Sequence, residues 1–185
     1  MKTPIAAVAF AVAGFVGAAS AAPIFALDAI IVADGPRGTA DNRAEVANAL
    51  GDDATTFFEL GRGAIVDFTF GQLFTGGLVV KERTFGDVTA YPESAMILGG
   101  RDGAFEALTT VTNRDAQGAG FAFLFEGVYD TLRLVDTTTF ARSQGFDVAS
   151  IRVESVPAAV PLPASALLLA AGLVALGVAR RRRPA

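Results

Sequence analysis

The stretch Gly61-Arg62-Gly63-Ala64-Ile65-Val66-Asp67-Phe68-Thr69-Phe70-Gly71 decides how the chain folds. Ala64, Val66, Phe68 and Phe70 alternate with Ile65, Asp67 and Thr69, and side chains that repeat every second residue stand on one face of a β-strand. Glycines bound the run at both ends, where turns are expected. Working outward, Leu78 to Glu82 forms a second predicted strand behind Gly76-Gly77, and Ala95 to Leu98 a third. The Gly99 to Gly103 turn then leads to a partner at Phe105 to Val111. Phe121, Phe123 and Phe125 alternate again, as do Leu132 and Leu134. In the last run Phe146 and Val148 share one parity while Ile151 and Val153 share the other, which predicts a bulge near Ala149.

About seven short strands with no long helix predict an all-β fold, an antiparallel β-sandwich of jelly-roll type spanning residues 22–157. The one helix candidate is Asn42 to Leu50, with Asp41 as N-cap and Gly51 as stop, and a loop is the alternative there. Ala49-Leu50-Gly51, Glu59-Leu60-Gly61-Arg62-Gly63, Ile65 to Phe68, Leu78 to Glu82, Leu132 to Asp136 and Gly145 to Val148 follow one another in an order that resembles the discoidin or galactose-binding-like jelly rolls. Arg62 stands where such domains often carry Ser or Gly.

The two ends have a different character. Residues 1–21 hold Lys2, an apolar run from Ile5 to Gly17 and the small residues Ala19-Ser20-Ala21, the three parts of a secretory signal helix cleaved after Ala21. At the other end a proline-rich spacer, residues 158–164, carries Val160-Pro161-Leu162-Pro163-Ala164. An apolar helix over residues 165–179 and a basic tail, residues 180–185, follow, with Arg180, Arg181, Arg182 and Arg183 in a row. The uncharged stretch from Leu162 to Ala179 would be about 27 Å long as a helix at ~1.5 Å per residue, just enough for a bilayer core of ~30 Å. The arginines then face the cytoplasm and the domain hangs outside. Its apolar residues point all round the helix, unlike those of a surface amphipathic helix.

This tripartite tail resembles the VPLPA variant of the PEP-CTERM sorting domain, the signal read by exosortase-type transpeptidases. The resemblance implies export through the Sec machinery, transient anchoring in the inner membrane, cleavage near the motif, and delivery to the cell surface or extracellular matrix. The prolines keep helix from spreading out of the membrane, so the motif stays extended and accessible to a processing enzyme.

Between these signals lie ten basic and nineteen acidic residues, a net charge of −9. A domain so acidic repels nucleic-acid phosphates, and no nucleic-acid partner is expected. With neither Cys nor His in the chain, thiol nucleophiles, imidazole bases and zinc ligation are excluded. Carboxylates are the only abundant reactive groups. Asp136 ends one predicted strand and Asp147 lies in another; in the resembling fold their ends can approach and, with Asp52-Asp53, hold a structural Ca²⁺ through oxygens. The simpler expectation is that these are solvated turn and strand-end residues, and no cofactor. A hydrolase would need a clustered carboxylate pair in a cleft. A sugar platform would need exposed aromatics, for which the chain offers no Trp and only Tyr91 and Tyr129, while Arg101 and Asp102 read as a plain turn.

The expected function is therefore that of an exported, non-catalytic surface or matrix protein, structural or adhesive within an extracellular polysaccharide layer. The alternative is a lectin-like, carbohydrate-binding module, calcium-dependent or not. Mass spectrometry of the mature protein is expected to find Ala22 at its start and a residue among Pro161 to Ala164 near its end. An intact Arg180 to Arg183 cluster in surface material would argue against sorting.

Overall fold

A computed structural model describes residues 22–38, 43–84, 86–155, 172 and 173. The signal segment, the Val160 to Ala164 motif and the arginine cluster lie outside the described residues, as does the apolar span except Gly172 and Leu173, which are helical. Residues 22–155 belong to one unit, Ala21–Pro157. Its strands are β1 (Pro23–Phe25), β2 (Asp28–Ala33), β3 (Phe58–Glu59), β4 (Ile65–Glu82), β5 (Ser94–Arg101), β6 (Ala104–Thr112), β7 (Phe121–Asp136) and β8 (Asp147–Ser155). All pair antiparallel.

The two longest strands organise the rest. The first part of β4 pairs with β2 on one side and with the end of β7 on the other, and that end of β7 continues to β5 and β6. The second part of β4 pairs with the start of β7 and with β8, which carries β1 and β3. The two layers of the sandwich are thus the two arms of one β4–β7 ladder, folded over where its register shifts between Thr69 and Phe74. Residues 71–73 are exposed at that fold, and Gly71 takes φ +68°, which an L side chain rarely adopts.

Val66, Phe68, Phe70, Phe74, Leu78 and Val80 of β4 all face the core, the even parity that the sequence alternation predicted. At the fold, Phe74 sets its ring 4.9 Å from Phe70, 6.2 Å from Phe125 and 6.1 Å from Tyr129, spacings at which edge-on and tilted rings attract. On the outer side, Arg133 makes a two-pronged ion pair with Asp67 at 2.7 and 2.8 Å and lies 3.7 Å over the Phe105 ring.

Three expectations change. Leu78 to Glu82 is not a separate strand, because Gly76 and Gly77 stay in the ladder opposite Phe125 and Leu124 of β7 and are absorbed against β8 by the register shift between Phe74 and Leu78. Likewise the Phe121 and Leu132 runs are one strand, β7. The helix over Asn42 to Leu50 shrinks to a 3₁₀ turn, Val46–Ala49, between extended residues Glu45 and Leu50; Glu45 makes no side-chain cap, and Asp41 and Asn42 lie outside the described residues. The bulge near Ala149 is present: Lys81 pairs with Ser150 but Glu82 with Val148.

Phe74→Ala is expected to cost about 3–5 kcal/mol, the usual range for emptying a buried aromatic position. Phe74→Leu should cost distinctly less. Urea unfolding followed by circular dichroism measures both.

Candidate functional site

Glu82 ends β4 on the same inward parity as Leu78 and Val80, and Asp136 ends β7 on the inward parity of Leu132 and Leu134. Because the ladder folds over, both ends reach the same end of the sandwich. There β3 and β8 pair Glu59 with Asp147, and Glu93 stands just before β5. Glu59, Glu82, Asp136 and Asp147 are each 6% exposed or less. The expectation that Asp136 and Asp147 are solvated is therefore wrong: strand parity turns both inward. Asp52 and Asp53 are exposed and do not join them; Asp53 instead accepts hydrogen bonds from the backbone and hydroxyl of Thr55, which lower its pKa.

The buried acids differ in how they are satisfied. Asp136 accepts from the backbone N–H groups of Gly63, Thr138 and Phe146 at 3.0, 3.1 and 2.8 Å and from the Thr138 hydroxyl at 3.0 Å, so both its oxygens are met by donors. It is a structural clamp joining the turn before β4 to the segment before β8. Glu59 accepts from the Gly38 N–H at 2.8 Å and faces Arg43 at 3.5 Å.

The other three acids form a group in which one oxygen of Glu82, one of Glu93 and one of Asp147 lie within 4.8 Å of one another. Glu82 accepts from the Thr84 hydroxyl at 2.7 and 2.8 Å and from the Gln117 side-chain amide. Glu93 accepts from the Ser143 hydroxyl at 2.5 Å through Oε1, while its Oε2 and the Asp147 Oδ1 are buried without a hydrogen-bond partner. Burial pushes Asp147 up to about 9, with the charges of Glu93, Glu59 and Glu82 adding and Arg43 opposing. Burial likewise raises Glu82 to about 8 and Glu93 to about 7, against the hydrogen bonds from Thr84 and Ser143.

Glu93 and Asp147 line an open pocket of about 130 Å³, together with Arg43, Glu59, Thr84, Tyr91, Arg142, Ser143, Gln144 and Gly145. That is smaller than the roughly 300–1,000 Å³ of sites for drug-sized ligands, and suits the edge of one sugar ring or an ion. Tyr91 remains 43% exposed and is braced edge-on by Phe140, ring centroids 6.2 Å apart. Tyr129 is buried and donates to Glu106, which leaves it no free face for a ligand. Arg101 and Asp102 form a plain hairpin turn in which Asp102 and Gly103 both take positive φ.

Sequence reasoning located Asp136 and Asp147 but missed Glu59, Glu82 and Glu93. The signal available was the inward phase of Glu82 in Leu78-Val79-Val80-Lys81-Glu82. The acids are clustered and not scattered over the surface, so the hydrolase class is not dismissed on that ground.

No protein-family model matches the chain, and no curated protein matches it. The sorting-signal resemblance therefore rests on the motif residues alone. Solved structures do match in fold. The CBM32 domain of AlyQ, in complex with 4,5-unsaturated mannuronic acid, is 10% identical with a TM-score of 0.52, over 71% of this chain and 97% of that one. A pectin binding carbohydrate binding module is 12% identical with a TM-score of 0.52, over 75% and 96%. The family 32 module of NanJ from C. perfringens, in complex with galactose, is 8% identical with a TM-score of 0.51, over 72% and 100%. At such identities the likeness establishes the fold, a sandwich of the discoidin-like kind that the strand order resembles.

Carboxylates whose pKa is higher folded than unfolded make the native state bind more protons, so stability falls as pH rises from their unfolded values near 4 to their folded ones. With divalent ions removed by chelator, the urea midpoint is expected to decline from pH 5 to pH 9. Asp147→Asn should flatten the decline above pH 7. A profile that rises over this range would contradict the burial assigned to these groups.

Proposed function

We propose that this chain is an exported, non-catalytic protein that binds carbohydrate through the polar pocket at the end of its sandwich, and so attaches to or organises an extracellular polysaccharide. The observation that carries it is the pocket itself: hydrogen-bonding groups of both kinds converge in a small open concavity with one exposed tyrosine among its lining residues. Sugars need both parts of such a site, fixed donors and acceptors for hydroxyls and an aromatic face for the ring's C–H groups. Arg142 and Gln144 supply donors, Glu93 and Asp147 acceptors, and Tyr91 the face. That similar folds are carbohydrate-binding modules supports this over the purely structural role first expected.

The signal-type N-terminus and the tail ending in Arg180 to Arg183 support export and exosortase-type sorting, with the inner membrane as a transient station. A surface location would put the pocket where polysaccharide is. Against hydrolysis, a glycosidic bond between two working carboxyl groups needs them about 5–10 Å apart. The three oxygens here crowd within 4.8 Å, and two of the three acids are tied to Thr84 and Ser143.

A glycan array is expected to show saturable binding to one sugar class, with Tyr91→Ala weakening it roughly three- to tenfold, the share of a stacking contact worth about 0.5–1.5 kcal/mol. Absence of any saturable binding would sink this reading. New reducing ends on the bound glycan would replace it with the hydrolase.

A further inference from the structure

Three acidic side chains that meet in a protein interior need something to neutralise them, either protons of their own or a bound cation. Glu82 cannot turn outward, because its strand parity and its bonds to Thr84 and Gln117 fix it among core residues. Asp147, 6% exposed, brings a carboxylate oxygen to the same place and leaves its Oδ1 with no hydrogen-bond donor, and Glu93 does likewise with its Oε2 unpartnered. Buried carboxylate oxygens without a partner are costly, and donors were available in principle: Asp136, close by, has four. The cations facing the group are Arg43, which is 3.5 Å from Glu59, and the exposed Arg142 among the pocket's lining residues.

We propose that Glu82, Glu93 and Asp147 form a binding site for a divalent cation of the calcium class. All the donors are hard oxygens, and the chain has no His or Cys to favour a softer metal. Calcium–oxygen bonds of ~2.3–2.6 Å allow two ligands on one ion to stand up to about 5 Å apart, whereas magnesium at ~2.0–2.1 Å allows only about 4.2 Å. Oxygens that all lie within 4.8 Å of one another fall inside the span of the larger ion, which also tolerates irregular geometry where magnesium demands a near-ideal octahedron and holds its waters. Calcium takes six to eight oxygens. The Ser143 hydroxyl, already on Glu93, and water entering by the open pocket are at hand to complete the set. Of the acids singled out from the sequence, Asp147 takes part, while Asp136, Asp52 and Asp53 do not. The cation site stands on the carboxylates and does not depend on a sugar binding beside it.

The test uses the full chain in mild detergent, stripped with chelator, dialysed, and titrated calorimetrically with CaCl₂ at pH 7.5 with no sugar present. Saturable one-to-one binding is expected, with thermal unfolding raised by several degrees in excess calcium. Glu93→Gln and Asp147→Asn should each weaken calcium at least tenfold while the calcium-free protein keeps its cooperative thermal unfolding. Asp53→Asn should leave calcium binding unchanged, and MgCl₂ should bind at least tenfold more weakly. Folded, stripped protein that shows neither heat nor a thermal shift would overturn the site and leave protons as what neutralises the group. Undiminished binding in both Glu93→Gln and Asp147→Asn would overturn it as well, and equal affinity for magnesium would overturn the calcium class. A glycan array that fails while calcium binds would remove only the carbohydrate reading.

Discussion

The β4–β7 ladder is the interaction from which everything else in this domain hangs. Among the described residues it is the one pair of strands that belongs to both layers, and it can do so only because its register breaks between Thr69 and Phe74 and again between Thr75 and Gly76. At that break the pleat would otherwise carry the strands straight on into solvent. The rings of Phe70, Phe74, Phe125 and Tyr129 fill the inside of the bend instead, and burying rings of this size is among the largest favourable contributions a single site can make. The remaining strands add to the two arms by ordinary antiparallel pairing.

Folding a ladder over has a consequence at its far ends. The end of β7 in one arm and the end of β4 in the other are brought to the same end of the sandwich, and both finish in a carboxylate on the inward parity, Asp136 and Glu82. β8 starts at this point with Asp147, and β3 brings Glu59 opposite it. An acidic chain with 19 carboxylates has the means to place them anywhere on its surface, where they cost little. Putting four on the inside at one end is a burden that the rest of the core must carry, and it is there that the chain departs from the pattern by which a sequence specifies a stable sandwich.

Most of the strands were legible because alternation is a direct imprint of the pleat, and even the Ala149 bulge showed as a change of parity between Val148 and Ile151. What was not legible was continuity. Gly71, Gly76 and Gly77 look like strand ends when read one after another, yet a long-range partner can hold a glycine in a bulge as readily as in a turn, and no local pattern distinguishes the two. The site was hidden for the same reason. Asp136 and Asp147 read as solvated because carboxylates usually are, while Glu82 looked like the polar end of a strand; only its phase with Leu78 and Val80 marked it as inward, and only the fold brings it to Glu93 and Asp147.

The contrast between Asp136 and Asp147 shows what separates a structural acid from one kept for something else. Both are buried and both sit at a strand end beside the same short segment, Phe140 to Phe146. Around Asp136 the backbone is arranged so that three N–H groups and a hydroxyl converge on its oxygens, which satisfies them with no outside help. Around Asp147 the same backbone offers Oδ1 nothing, and the side chain looks instead toward Glu82 and Glu93 and into an open pocket. A fold that can satisfy one carboxylate so completely has shown that donors can be placed at this end of the sandwich. Where they are withheld from Asp147 and from Glu93 Oε2, the unmet oxygens and the opening beside them are two halves of one provision for a bound partner.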